Sequence, residues 1–220
     1  MRIRDVVEAA LARTGFDRVV QSHRMLAATI DDDVRTVLDV GCGDGHRLQN
    51  VLGDDSDRSC YGVDIYGPDL RTAAHWYNGV IRADGTQLPV VEGGVDCIVA
   101  LDFIEHLQKE RGQAFLSEIE RAADKQVIVF TPVGFQPQEP YDGNEFQRHR
   151  SGWTPAEFRS RGYDVLGANG LGPFRGRRGD IVGSSRPVRA ISYTLTHATQ
   201  ALAYTAPSAA YQMVCHKRLD

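Results

Sequence analysis

The residues of this 220-residue chain that could do chemistry fall in three places. The first is Val37-Leu38-Asp39-Val40-Gly41-Cys42-Gly43-Asp44-Gly45, a glycine-rich turn between an apolar strand pattern and a helix pattern. Glycine lacks a Cβ, so such a turn can take positive φ and let a ligand lie against backbone, at the carboxyl end of a strand where open α/β sheets bind ligands. A dinucleotide fingerprint reads GxGxxG, whereas the spacing here is GxGxG with an acid two residues before the first glycine, which argues against a nicotinamide dinucleotide. The next strand pattern, Cys60 to Ile65, carries Asp64 19 residues beyond Gly45. That is close to the ~20-residue offset at which a carboxylate meets a ribose hydroxyl. A further acid, Asp84, follows a third strand pattern in Arg82-Ala83-Asp84-Gly85.

The second place is Leu101-Asp102-Phe103-Ile104-Glu105-His106-Leu107, and the third is Asn144-Glu145-Phe146-Gln147-Arg148-His149-Arg150. A neutral imidazole near physiological pH suits a general base, so His106 and His149 are the candidate catalytic residues. His106 also reads as a structural residue that caps a helix or bonds to backbone, and Glu105 reads as structural. His149 reads either as a substrate contact or as the partner of a loop carboxylate, Asp142 or Glu145. The aromatic and amide groups of Tyr141 to Gln147 suit a substrate lid as well as a solvated loop. Arg175, Arg177 and Arg178 make the one basic cluster, read as an exposed loop in preference to a site for phosphate, carboxylate or RNA.

The elements that must position these groups follow from patterning. From Thr36 onward short β-branched runs alternate with helical patterns, the mark of βαβ units around a largely parallel sheet. Strands are expected at Thr36 to Val40, Cys60 to Ile65, Gly79 to Arg82, Val95 to Leu101, Gln126 to Thr131, Tyr163 to Leu166 and Ala209 to Lys217. Helices are expected at Arg4 to Arg13, Asp17 to Thr29, Arg47 to Leu52, Leu70 to Tyr77, Lys109 to Ala123, Pro155 to Arg161 and Val188 to Tyr204. Thr154, Pro155 and Glu157 specify one helix start as a capping box. Pro132 to Gly152 and Gly167 to Ser185 read as loops. The fold class is α/β, a seven-stranded mostly parallel sheet with helices on both faces. One domain over 1–220 is expected, with N-terminal helices over 1–35 and a helical appendage at about 186–206 before the last strand.

A net charge of −4 gives no general drive toward phosphate backbones or anionic lipid, so nucleic acid is an unfavoured partner. Cys42, Cys60, Cys97 and Cys215 lack CxxC spacing and read as reduced packing residues. The N-terminal stretch lacks the apolar run of a secretory signal, and Val188 to Val214 is too interrupted by polar residues to cross a membrane. The expectation is a cytoplasmic protein without a transmembrane segment, a monomer or homodimer.

On these motifs the sequence resembles the class I S-adenosylmethionine (SAM)-dependent methyltransferases, whose first motif has the form (D/E)xGxGxG, here Asp39 to Gly45. The resemblance runs from about Thr36 to Gly167 and implies a Rossmann-like methyltransferase fold with SAM as cofactor. It implies that the loop of Gly41, Cys42, Gly43, Asp44 and Gly45 bends under the methionine part of SAM. Asp64 then holds both ribose hydroxyls, Ile65 packs on adenine, and Asp84, beside Gly85, receives the adenine amino group. Asp102 and Phe103 face the methionyl part, and His106 reaches a substrate hydroxyl. Leu88-Pro89 followed by Val95 to Val99 resembles the family's entry into its fourth strand. Asp102 to Leu107 resembles the (D/V)xxEHL element of the type 11 branch and of the ubiquinone-biosynthesis O-methyltransferases.

Asp102, Glu105, His106 and His149 also look like the ExxEH arrangement of small-RNA 2′-O-methyltransferases and metal-dependent ubiquinone enzymes, with Trp153 to Phe158 similar to their following helix. That resemblance implies oxygen and nitrogen ligands for a divalent cation such as Mg²⁺ or Mn²⁺. Asp102 replaces the first Glu, and Arg150 and Ser151 stand where a second histidine is expected, so the cation is not favoured. The function expected is methyl transfer to a small-molecule acceptor, on oxygen. A metal-assisted RNA 2′-O-methyltransferase and a nonenzymatic SAM-binding domain are the alternatives.

Overall fold

The computed structural model describes residues 22–53, 57–140, 143–174, 188, 195–196 and 198–219. The expected helix Arg4 to Arg13, Tyr141, Asp142 and the cluster Arg175, Arg177, Arg178 lie outside the described residues. So does much of the expected helix Val188 to Tyr204.

The elements are α1 (Ser22–Thr29), β1 (Thr36–Val40), α2 (His46–Leu52), β2 (Ser59–Asp64), α3 (Gly67–Ala73), β3 (Gly79–Arg82), β4 (Val95–Leu101), α4 (Lys109–Ala122), β5 (Ala123–Pro132), α5 (Pro155–Ser160), β6 (Asp164–Leu171), α6 (Gln200–Thr205) and β7 (Ala210–Arg218). The seven strands form one sheet in the order β3-β2-β1-β4-β5-β7-β6. Every pairing from β3 to β5 is parallel, whereas β7 runs antiparallel to β5 and to β6. β1 and β4 are neighbours although β2 and β3 lie between them in sequence. The connections therefore diverge at that point, and a crevice opens beyond the carboxyl ends of the strands.

Side-chain alternation sorts the central strands onto two cores. Leu38, Val40, Ile98, Ala100, Val127 and Val129 pack on one face with Phe115, Leu116 and Ile119 of α4 and Phe158 of α5. Val37, Cys97, Val99, Leu101, Ile128 and Phe130 pack on the other with Met25 and Leu26 of α1, Leu48 and Val51 of α2, and Leu70 and Ala73 of α3. Helices thus cover both faces, and the four cysteines are buried and free.

The capping box forms as its residues predict: Thr154 Oγ1 accepts from the Glu157 N–H, and the Glu157 carboxylate accepts from the Thr154 N–H. Several boundaries differ from expectation. The strand expected to end at Leu166 continues to Leu171, so 167–171 is not loop. Pairing with β7 carries it through its glycines, with a register shift between Ala168 and Leu171. The helix expected over Leu70 to Tyr77 begins at Gly67, with Pro68 in its first turn, and ends at Ala73. β5 begins at Ala123, directly where α4 ends, which leaves no linker before Gln126.

Candidate active site

The glycine turn is built as its composition requires. Gly41, Gly43 and Gly45 all hold positive φ, at 74°, 53° and 85°. At Gly41 the space is also needed, because a Cβ there would lie 2.2 Å from Phe103 Cδ2. The turn is tied to the neighbouring strand: the N–H groups of Gly41 and Cys42 donate to the Val63 carbonyl, and the Gly43 N–H donates to Asp64 Oδ2 over 2.9 Å. The other Asp64 oxygen accepts from the Tyr66 N–H over 2.7 Å. One carboxylate is thereby fixed at the end of β2.

Two cavities meet above the carboxyl ends of the strands. The smaller, about 280 Å³, is lined by Gly41, Gly43, Asp64, Ile65, Asp84, Gly85, Asp102 and Phe103 among others. These are eight of the twelve residues expected to touch a cofactor. The larger, about 710 Å³, takes in Cys42 and Asp44 together with Arg47, Tyr66, Asp69, Glu105, His149 and Tyr211. Gly41, Gly43, Asp102, His106, Asn144 and Gln147 line both.

The remaining two residues, Asp39 and Gly45, line neither cavity and sit behind the turn. Asp39 is 1% exposed and accepts from Tyr77 Oη over 2.6 Å, while its Oδ1 has no hydrogen-bond partner among the described residues. Burial raises its carboxyl to about 7 despite the Tyr77 bond. Gly45 packs toward Trp76 and Tyr77. Both shape the turn from beneath.

Asp84 closes a local turn with Thr86, whose N–H and hydroxyl both donate to its Oδ1, and its Oδ2 accepts from Arg111 over 3.0 Å. Burial works against the charged form, but the Thr86 and Arg111 contacts outweigh it and hold the carboxyl below its ordinary value. Asp102 stands in a left-handed conformation at φ 54°, ion-paired with Arg47 and accepting from Gln212 Nε2. Phe103 lies edge-on to Phe115 at 5.0 Å and walls the cleft between Gly41 and Gly85.

The residues after β4 form a single 3₁₀ turn, Ile104–His106. Its Glu105 carbonyl accepts from the N–H groups of Arg150 and Ser151, which brings the 132–152 loop over the site. Glu105, His106 and His149 converge, with one ligand atom from each within 4.8 Å of the others. Glu105 is 2% exposed and accepts from Thr131 Oγ1, while its Oε1 has no hydrogen-bond partner among the described residues.

His106 Nδ1 meets the Arg148 carbonyl at 3.2 Å, and His149 Nδ1 meets the Gln136 carbonyl at 2.6 Å. A carbonyl can only accept, so in the neutral rings Nδ1 carries the hydrogen and Nε2 presents its lone pair. His149 is thus held by backbone, not by Glu145. Burial pushes His106 down to about 4, and burial also lowers His149. Both rings are neutral at pH 7.

Tyr66, Asp69, Arg111, Tyr211 and Gln212 also line the cavities, although no motif marked them. Tyr66 directly follows the expected Ile65, which was the one available signal. Gln212 comes from β7, which folding inserts between β5 and β6.

Residues 38–131 match a family model described as a methyltransferase domain. The chain is 35% identical over 78 residues to methyltransferase ungE′ of Aspergillus campestris, a match that covers 36% of this chain and 22% of that protein. Among solved structures, the small RNA methyltransferase HEN1 superposes with a TM-score of 0.58 at 19% identity, over 94% of this chain and 25% of that one. A SAM-dependent methyltransferase from Archaeoglobus fulgidus gives 0.56 at 17% identity, over 98% and 94%. Magnesium protoporphyrin IX methyltransferase from Synechocystis, solved with bound SAM, gives 0.51 at 16% identity, over 100% and 98%. At these identities the structural likeness is one of fold.

Proposed function

We propose that this chain is a class I SAM-dependent methyltransferase that moves a methyl group to an oxygen of a small-molecule acceptor, a reading supported by the methyltransferase-domain match over residues 38–131 and by the fold. The observation that carries the reading is the meeting of the two cavities at Gly41, Gly43, Asp102 and His106. The smaller offers carboxylates Asp64 and Asp84 and the apolar surfaces of Ile65 and Phe103, a set suited to an adenosine. The larger falls within the ~300–1,000 Å³ typical of small-molecule sites and is lined mainly by polar side chains.

Bound SAM supplies a methyl carbon already activated by its sulfonium, so the protein has to align an acceptor and dispose of one proton. His106, at the boundary of the cavities, orients the acceptor hydroxyl, and His149, whose Nε2 is left free to accept by the Nδ1 bond to the Gln136 carbonyl, takes its proton. Pro132, Gln138, Asn144 and Gln147 of the 132–152 loop, which is held by backbone bonds to Glu105 and Trp153, line the acceptor cavity beside them. Four free cysteines support a reducing, cytoplasmic setting.

A second reading rests on the same three side chains. The unpartnered Glu105 Oε1 and two Nε2 lone pairs suit a borderline cation such as Mn²⁺ or Zn²⁺ better than Mg²⁺, which favours oxygen. The cation-free reading is preferred because Asp102, the second carboxylate of the expected set, is engaged by Arg47 and Gln212.

Calorimetric titration should give binding with SAM and none with NAD, and absence of SAM binding would overturn the proposal. A screen with labelled SAM over metabolite pools and RNA, with and without EDTA, then identifies the acceptor. Label in RNA alone would replace the small-molecule reading, and loss of turnover in EDTA restored by Mn²⁺ would establish the cation.

A further inference from the structure

Two non-glycine residues with positive φ occur among the described residues, Asp102 at 54° and Asn169 at 62°. A residue with a Cβ persists in that region only where its surroundings hold it. Both are held by one side chain. Gln212 Nε2 donates to Asp102 Oδ1 over 2.8 Å, and Gln212 Oε1 accepts from Asn169 Nδ2 over 2.6 Å.

Resting on the SAM reading above, we infer that Gln212 is a positioning residue for the cofactor cleft. Its amide fixes the Asp102 turn, and the turn in turn sets where Phe103 meets the glycines. The geometry leaves little slack, since a Cβ at Gly41 or Gly85 would come within 2.2 or 2.9 Å of the Phe103 ring. A small rotation at Asp102 therefore moves the Phe103 ring against backbone that borders the cleft.

Gln212 is itself braced from outside the site. It pairs with Pro132 of β5 and Ala168 of β6, and Asn169 follows in the β6 irregularity. Gln200 of α6 fixes that irregularity, accepting from the Gly170 N–H over 2.6 Å and donating to the Gly167 carbonyl over 2.9 Å. The C-terminal helix is thus linked by side-chain amides to the cofactor turn. The task needs a donor and an acceptor on one short side chain, which a primary amide supplies.

The test is SAM titration of the full chain and of Q212L, Q212E, D102N and D102N/Q212E, with unfolding temperatures measured alongside. Q212L, which removes a hydrogen bond to a charged group, should bind SAM about tenfold more weakly while still melting cooperatively. Q212E should lose more, because two carboxylates would then face each other. In D102N/Q212E the new amide can donate to the new carboxylate, so adding Q212E to D102N should cost far less affinity than adding it to the native chain. A merely structural role would lower the unfolding temperature without this rescue.

If the native chain fails to bind SAM, the cofactor reading falls. If the native chain binds and Q212L and Q212E bind equally well, or Q212E is as harmful with D102N as without it, the Gln212 inference falls alone. Should Q212L not fold, the Q212E and D102N cycle decides the matter.

Discussion

Asp64 and Gly43 are joined by a 2.9 Å hydrogen bond from the glycine N–H to Oδ2, so a carboxylate of β2 braces the turn that follows β1. The bracing residue also lines the smaller cavity, so its loss acts on the cleft twice, through a missing ligand partner and through a loosened turn. Asp64→Ala should weaken SAM binding about 10- to 100-fold, the size expected when hydrogen bonds to a charged group are lost. Calorimetry checks this, and native affinity in the variant would show that the carboxylate does not hold the cofactor.

Gly41 and Gly43 share a left-handed backbone but not the same surroundings. A methyl at Gly43 meets nothing within 4 Å, whereas one at Gly41 runs into Phe103. Gly43→Ala should therefore carry only the conformational penalty of about 1–2 kcal/mol. Gly41→Ala should add about 1–3 kcal/mol of overpacking. Denaturant unfolding of the two variants should reproduce that order, and equal midpoints would contradict it.

Asp39 should imprint a pH dependence on stability. Its folded value near 7 lies above the ordinary aspartate value of 3.8, because burial disfavours the charge. Between those values the folded chain holds a proton that the unfolded chain releases, so stability is fully present below about pH 4 and is lost as pH rises through 7. The slope approaches about 1.4 kcal/mol per pH unit in that window. Asp39→Asn should flatten it, and identical slopes in the two proteins would remove the buried carboxyl as the cause.

Trp153 anchors the 132–152 loop. It is 2% exposed, its Nε1 donates to Ser151 Oγ over 2.9 Å, its carbonyl accepts from the Gly134 N–H, and the Lys109 ammonium lies 3.6 Å from its ring centroid. Trp153→Ala should destabilise the chain by about 3–5 kcal/mol. Because the loop roofs the larger cavity, Trp153→Phe should retain most of that stability yet raise KM for the acceptor. An unchanged KM in the phenylalanine variant would detach the loop from acceptor binding.

His149 lines the larger cavity and not the smaller. His149→Ala should therefore slow methyl transfer about a hundredfold, in the range for loss of general base catalysis, while leaving the SAM dissociation constant unchanged. His106→Ala touches both cavities and should alter both quantities. Full turnover in His149→Ala would remove that ring from the chemistry.

The sequence by itself determined the parts governed by local chemistry. Asp39 to Gly45 specified a left-handed turn because glycine alone takes those dihedrals freely, and the 19-residue step to Asp64 placed a carboxylate on the adjacent strand. Short β-branched runs gave the strands, and Thr154-Pro155-Ala156-Glu157 gave a helix start, since both signals are complete within a few residues. Tertiary structure decided what depends on contacts between distant segments. Asp39 went beneath the turn to Tyr77, 38 residues away, because a strand side chain faces whichever core its register dictates. Glu105, His106 and His149 converged only because the loop hydrogen-bonds back to the 3₁₀ turn after β4. Gln212 reached Asp102 across 110 residues because β7 inserts antiparallel beside β5, a pairing fixed by the packing of the whole sheet and written in no short motif.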